Sequence, residues 1–297
     1  MKENILIVGG TGFIGINLIK YFSKKFNITS VSTKKPKQPI KNVNYIICDI
    51  VKKNEIKSKL KPIYNYVINL GGYVDHSNKK KTFKSHYLGC KNLANFFSNH
   101  KIKKFIQIGS SLEYGDVKSP QKETSKCRPK SNYGKAKFLA TKYLLNLYKK
   151  KKFPCVILRL YQIYGPYQKF NRLIPISIKA CVKNKSFACT SGVQKRDFLF
   201  IKDFIYIIQS IIYNEKINGE IFNIGSSKST SVKNLILLIK EISKGGKPLF
   251  GKIKMRRDEI KIMYPNIIKA KKLLKWRPIF SLKKGMSETI KHYKKKL

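Results

Sequence analysis

Tyr133 and Lys137 stand four residues apart at the start of a long stretch with helical spacing, so both point the same way from one helix face. A free phenol has a pKa of about 10 and is a poor acid or base at neutral pH. A neighbouring ammonium stabilises the phenolate and draws that value toward the range in which general acid–base catalysis works. Alone, the same pair also reads as a tyrosine packed on an apolar face beside a solvated lysine. Ser110 and Ser111 follow the apolar run Phe105–Ile108, within Gly109-Ser110-Ser111-Leu112-Glu113-Tyr114-Gly115. A serine hydroxyl at a strand end can hydrogen-bond a carbonyl oxygen as charge develops on it. The same residues also suit an ordinary serine-rich turn.

A different chemistry is written at the start of the chain. Ile5-Leu6-Ile7-Val8 runs into Gly9-Gly10-Thr11-Gly12-Phe13-Ile14-Gly15, and apolar residues then recur at Ile16, Leu18, Ile19 and Phe22. This reads as a strand buried on both faces, a tight turn and a helix. Gly9, Gly12 and Gly15 fall three residues apart. Their separate duties are the turn, close backbone approach to a pyrophosphate, and contact between helix and strand. The unpaired N–H groups of the helix's first turn favour a diphosphate. The stretch predicts a dinucleotide site.

The elements that must position these residues alternate. Strand-like runs at Ile28–Val31, Asn44–Ile47, Tyr66–Leu70, Phe105–Ile108 and Cys155–Leu160 lie between helical stretches near Gly15–Lys25, Glu55–Leu60, Thr82–Asn99 and Tyr133–Lys150. Such alternation predicts an α/β fold, a Rossmann-type doubly wound parallel sheet with helices on both faces. The strand ends at Gly9, Asp49, Gly71, Ser110 and Tyr161 would line one edge, where open sheets bind ligands. After Pro166 the alternation breaks down. Helical Leu173–Asn184, Lys202–Tyr213 and Ser231–Ser243 and a strand at Ile221–Ile224 follow. The expected division is 1–168 as the nucleotide-binding domain and 169–297 as a smaller C-terminal α/β substrate-binding region, with some segments returning to the sheet.

The composition narrows the class. A chain of 297 residues, 42% of them hydrophobic, can bury a full core. No apolar run approaches the roughly 20 residues that cross a bilayer, and Met1-Lys2-Glu3 leads directly into the first strand, without room for a signal peptide. Six scattered cysteines with no CxxC pair suggest neither a zinc site nor a disulfide framework. The expectation is a soluble, cytoplasmic protein without a metal. The net charge of +49 is almost all lysine, spread along the whole chain. That is a bias of solvated faces rather than a basic tract, so specific nucleic-acid binding is not expected.

Together the stretches resemble the extended short-chain dehydrogenases/reductases, in their nucleotide-sugar epimerase/dehydratase branch, over essentially the whole chain. Further matches are Arg159-Leu160-Tyr161-Gln162-Ile163-Tyr164-Gly165-Pro166, Arg196-Asp197-Phe198-Leu199-Phe200-Ile201-Lys202-Asp203, Phe222-Asn223-Ile224-Gly225 and Lys269-Ala270-Lys271-Lys272-Leu273-Leu274-Lys275-Trp276-Arg277-Pro278. The resemblance implies hydride transfer at a sugar carbon, with Tyr133 as proton donor or acceptor. Lys137 would hold the nicotinamide ribose and tune Tyr133, and Ser110 would orient the sugar oxygen, with Ser111 as fallback and substrate contact. The resemblance also implies cofactor contacts from Gly9, Thr11, Gly12, Phe13, Ile14, Gly15, Ser32, Thr33, Lys34, Asp49 near the adenine, Ile50, Leu70, Gly71, Tyr133 and Lys137. Gln162, Arg196 and Arg256 match substrate positions. Arginine forks suit phosphate oxygens, and this chain uses lysine almost everywhere else.

The cofactor form is read at the end of the second strand. NAD-preferring members usually carry an acidic residue there; here Val31 is followed by Ser32-Thr33-Lys34-Lys35. Hydroxyls and ammonium groups suit a 2′-phosphate, so NADP is expected, with NAD as the other possibility. Sugar 4,6-dehydratases carry an Asp-Glu pair after the catalytic hydroxyl residue, where this chain has Ser111 and Leu112, and Glu113 is displaced by one position. That leaves 4-ketoreduction and 4-epimerisation. Ile174-Pro175, Ser191-Gly192, Lys195-Arg196-Asp197-Phe198 and Arg257-Asp258-Glu259-Ile260 look most like reductases that make deoxysugar nucleotides, such as the CDP-abequose and paratose synthases.

The reading is therefore an NADP-dependent 4-ketoreductase of a nucleotide-activated 6-deoxysugar, feeding surface polysaccharide synthesis. The alternatives are an NAD-dependent nucleotide-sugar 4-epimerase and a non-catalytic nucleotide-binding relative. The resemblance implies a homodimer through the helix bearing Tyr133 and the helix before it, and Phe138, Leu139, Tyr143, Leu144, Leu145, Leu147 and Tyr148 make the former apolar on more than one side. The chain departs from the wider family in three places. Asn69-Leu70-Gly71-Gly72 stands where His-Leu-Ala-Ala is common, Gln162 replaces a usual asparagine, and His86 sits where asparagine is frequent. His86 otherwise reads as an ordinary helix histidine.

Overall fold

The computed structural model describes residues 2–73, 78–256 and 259–297. They fall into two compact units: 1–117, 123–160 and 207–223 form the first, and 118–122, 161–206 and 224–297 the second. The chain leaves the first unit at 118–122 and again at 161–206, and returns to it each time.

The first unit is a Rossmann-type α/β layer structure. Strands β1 (Asn4–Val8), β2 (Asn27–Ser32), β3 (Val43–Ile47), β4 (Tyr66–Asn69), β5 (Lys104–Ser110) and β6 (Cys155–Leu160) join the strand Ile221–Ile224 in one sheet. The order is Ile221–Ile224, β6, β5, β4, β1, β2, β3. Every pairing from β6 to β3 is parallel. β1, β4, β5 and β6 are buried almost throughout, as their unbroken apolar runs require. β3, at the edge, is only partly covered.

Helices α1 (Phe13–Phe22), α2 (Lys53–Lys59), α3 (Lys79–Phe83), α4 (Gly89–Phe97) and α5 (Asn132–Lys151) connect the strands. α5 starts where Ser131 Oγ accepts a hydrogen bond from Gly134 N at 3.0 Å, and ends at Lys152 in the left-handed conformation. It buries Ala136, Ala140, Leu144 and Leu147. The latter three share a core cluster with Leu93, Ala94 and Phe97 of α4. The helix expected at Thr82–Asn99 is present but not regular: a π-helical turn, Lys84–Leu88, separates α3 from α4. Lys104, 1% exposed, donates to Asn214 O at 2.8 Å and Asn218 Oδ1 at 2.6 Å, which ties β5 to the returning segment.

The second unit holds small sheets and helices. Gln162–Tyr164 pairs in parallel with Phe198–Phe200, and Lys195–Arg196 lies between Thr230–Ser231 and Ile262–Met263. Helices Leu173–Val182, Val232–Ser243, Ile268–Leu274 and Leu282–Lys294 belong to it. All six cysteines are free thiols. Among the described residues no helix is long and apolar enough to cross a membrane, and no group of three His, Cys, Asp or Glu side chains could hold a metal ion.

Candidate active site

Because β1 to β6 are parallel, their C-terminal ends share one edge, and the expected site residues of the first unit follow those ends. Gly9 leaves β1 with φ +82°, a conformation that only glycine adopts without strain. Its N–H donates to Val31 O at 2.7 Å. A side chain there would meet the Leu70 backbone at 3.1 Å, so the turn after β1 lies against the residues after β4. At Gly15 a Cβ would fall 2.5 Å from Gly10 Cα and 2.6 Å from Gly9 O, which is the close helix–turn contact the spacing implied. Gly12 caps α1 without a side chain, and no acidic residue stands in that helix's first turn. This cradle, with Thr11, Phe13 and Ile14 around it, fits a dinucleotide diphosphate.

A chain of contacts leads from this turn to the tyrosine. Leu70 touches the Gly9 turn, and Gly72, two residues on, lies against the His86 imidazole. That imidazole packs edge-to-face on the Tyr133 ring, with centroids 4.8 Å apart and an interplanar angle of 88°. The catalytic candidates and the glycine turn thus occupy the same end of the sheet. Lys137, one helical turn beyond Tyr133, is 3% exposed, and its Nζ lies 5.8 Å from the centre of the tyrosine ring. It donates to Ile108 O at 2.7 Å. Burial pushes the ammonium down to about 8, against the opposing pull of Cys90 and Glu113. A packed rather than solvated lysine beside a phenol is the arrangement acid–base chemistry needs.

Ser110 ends β5 and caps a short 3₁₀ turn, Ser111–Glu113, with Oγ accepting from Leu112 N at 3.2 Å. Glu113 faces inward and is fully buried. Its Oε1 accepts from Ser110 N at 2.9 Å, while Oε2 accepts from Thr141 Oγ1 and Arg159 Nε, each at 2.9 Å. The Arg159 guanidinium lies 4.5 Å from the centre of the Tyr114 ring. Glu113 therefore fixes the backbone of Ser110, and both its carboxylate oxygens are buried and engaged within the protein. Beneath the same edge, Asn69 Nδ2 donates to Gln107 Oε1 at 2.7 Å and Asn69 Oδ1 accepts from Gly71 N at 3.0 Å. Asn69, in place of the family's usual histidine, thus steadies the loop after β4.

At the end of β2, Ser32 Oγ donates to Lys34 O at 2.8 Å, and Thr33 and Lys34 are exposed. Asp49 Oδ1 accepts from Val51 N at 3.0 Å, shaping the turn before α2. The Ile50 side chain fills space that Gly71 and Gly89 leave open.

Gln162, Arg196 and Arg256 belong to the second unit. Gln162 is exposed and donates its backbone N–H to Asp197 O. Arg196 is buried and pairs through Nη2 with Glu259 Oε1. Arg256 is largely exposed and pairs with Glu259 Oε2 at 3.1 Å. One carboxylate thus draws together the two guanidinium groups expected at a diphosphate. Of the tetrapeptide Arg257–Ile260, Arg257 and Asp258 lie outside the described residues. The position of His86 against Tyr133 is absent from the sequence reading; its one sequence signal was histidine where asparagine is frequent.

Residues 5–225 match the model of the NAD dependent epimerase/dehydratase family, and the chain belongs to that family, within the extended short-chain dehydrogenases/reductases. Over 75% of its length it is 30% identical to dTDP-D-glucose 4,6-dehydratase of Dictyostelium discoideum, a match spanning 58% of that protein. It is 28% identical to the uncharacterized UDP-glucose epimerase YtcB of Bacillus subtilis, over 96% of both chains. Identity to CDP-abequose synthase of Salmonella typhimurium is 26%, over 98% of both. The fold is that of UDP-glucose 4-epimerase from Thermotoga maritima, solved with UDP-glucose (TM-score 0.91, 24% identity, 99% of both chains). It is also that of UDP-glucuronic acid 4-epimerase from Bacillus cereus, solved with UDP-glucuronic acid and NAD (TM-score 0.88, 24% identity, 99% of this chain and 100% of that one).

Proposed function

We propose that this chain reduces the 4-keto group of a nucleotide-activated 6-deoxysugar, with NADPH as the hydride donor. The observation that carries the reading is the grouping of Ser110, Tyr133 and a buried Lys137 at the sheet edge that also bears the glycine turn. Nicotinamide supplies the hydride. Tyr133 gives its proton to the sugar oxygen, Lys137 stabilises the phenolate left behind, and Ser110 holds the oxygen in line. Gln162, Arg196 and Arg256 are the proposed substrate contacts, the arginines for the diphosphate.

Dehydration is disfavoured although several relatives bear a dehydratase name. Leu112 moves no proton, and Glu113 is sequestered by Arg159, Thr141 and Ser110. Support for NADP comes from Ser32, Thr33 and Lys34, where no carboxylate meets a ribose hydroxyl. Support for ketoreduction also comes from the likeness to CDP-abequose synthase. The second reading, an NAD-dependent 4-epimerase, draws on the epimerase names among the relatives. The proposed setting is cytoplasmic nucleotide-sugar metabolism for polysaccharides. The proposed assembly is a homodimer through α5, where Phe138, Leu139, Tyr143, Leu145 and Tyr148 remain half-exposed.

The test is incubation with a panel of nucleotide 4-keto-6-deoxysugars and with UDP-glucose, reading NADPH and NADH consumption and product identity. One NADPH consumed per product supports reduction. Interconversion of UDP-glucose and UDP-galactose without net cofactor change supports the epimerase. Retention of turnover by Tyr133→Phe would sink both.

A further inference from the structure

His86 and Gly72 depart from the family pattern together, and the structure shows why they go together. At Gly72 a Cβ would fall 1.8 Å from His86 Cε1 and 2.1 Å from Nδ1, so no other residue fits beside this imidazole. His86 is 6% exposed. Its Nε2 lies 3.1 Å from Tyr73 O; a carbonyl only accepts, so Nε2 bears the hydrogen. Its ring packs edge-to-face on Tyr133. The π-helical turn Lys84–Leu88 delivers it. Such a turn is costly alone and is held by tertiary contacts, often at functional sites. Here Ser85 Oγ accepts from Tyr73 N at 2.9 Å while His86 binds Tyr73 O, so consecutive residues of the turn clasp the backbone N–H and C=O of one residue.

We propose that His86 is a positioning residue for the Tyr133 phenol, and that Gly72 is glycine so that the imidazole can stand there. The inference rests on Tyr133 being the proton donor of the proposed reaction. An edge-to-face pair resists rotation and sliding of the phenol, and small displacements of a reacting group cost large factors in rate.

Two of the three arms of the test need no substrate. First, protein labelled with 3-fluorotyrosine is examined by fluorine NMR, with the Tyr133 resonance assigned by its loss in Tyr133→Phe. His86→Ala is expected to shift that resonance, and His86→Phe, which keeps a ring, to bring it back most of the way. Second, urea unfolding of Gly72→Ala, His86→Ala and the double variant forms a cycle in which backbone strain at residue 72 cancels. Gly72→Ala is expected to lower the midpoint less when residue 86 is alanine. Third, with any sugar the protein turns over, His86→Ala is expected to lose between about tenfold and a hundredfold in kcat, with KM and NADPH affinity within about twofold of wild type. His86→Phe should recover most of the rate.

An unmoved Tyr133 resonance, additive unfolding effects, or equal losses in kcat, KM and NADPH binding would each overturn the proposal. If the unaltered protein turns over no nucleotide sugar, the functional reading fails, while the first two arms still decide whether His86 fixes Tyr133.

Discussion

Glu113 Oε2 lies 2.9 Å from Arg159 Nε, and neither side chain is more than 3% exposed. A buried pair of this kind is weak as a source of net stability but costly to break, because the remaining charge is stranded. Glu113→Ala is expected to destabilise the protein by about 3–5 kcal/mol, and the cost should fall when Arg159→Met is added. Urea unfolding of the two single variants and the double variant checks this. A cost below about 1 kcal/mol for Glu113→Ala would contradict the pairing.

Lys137 couples stability to pH in a direction opposite to most ion-paired lysines. Its native pKa is pushed from 10.5 down to about 8. Between those values the unfolded chain binds more protons, so this group's contribution to stability rises with pH across the window. Below pH 8 the charged, buried form costs up to about 3 kcal/mol. Lys137→Met removes that dependence. The stability of the variant minus that of the wild type should therefore decline as pH rises from 8 to 10.5, measured by urea unfolding at constant ionic strength. In the proposed reaction turnover should fall around pH 8, where the folded protein loses the Lys137 ammonium assigned to the phenolate.

Gly15→Ala forces a methyl against backbone at 2.5–2.6 Å. Backbone cannot rotate away as a side chain can. The expected cost is about 1–3 kcal/mol of stability, with weaker NADH and NADPH binding by fluorescence titration. Unchanged affinity for both would detach the glycine turn from the cofactor.

Glu259 competes for the guanidinium groups that the proposed diphosphate requires. Glu259→Gln is expected to tighten binding of UDP or CDP in calorimetry, and Arg196→Lys to weaken it, since an ammonium loses the bidentate fork. Weaker binding in both variants would make Glu259 itself part of the site.

The strands were legible because a parallel sheet buries both faces, so apolar runs such as Ile5–Val8 and Cys155–Leu160 mark themselves. The glycine turn was legible because its geometry admits few residues. Less visible was the break in the helix expected at Thr82–Asn99: a π-helical turn adds one residue without disturbing composition, so apolar spacing cannot reveal it. The inward course of Glu113 was only half visible. Its displacement from the dehydratase pattern was readable, but its partners Thr141 and Arg159 lie 28 and 46 residues away in sequence. The histidine beside Tyr133 was hidden for the same reason, since its meaning depends on Gly72 and on a different helix.

The strand Ile221–Ile224 and the residues that receive the Lys104 ammonium enter the chain after the segment 161–206. During synthesis the nucleotide-binding sheet therefore stays unfinished at one border until more than two hundred residues have emerged. A fragment cut at 168 would deprive the Lys104 ammonium of both acceptors and leave β6 as a raw sheet margin, open to pairing with other nascent chains. For this molecule the order of manufacture and the order of assembly are not the same.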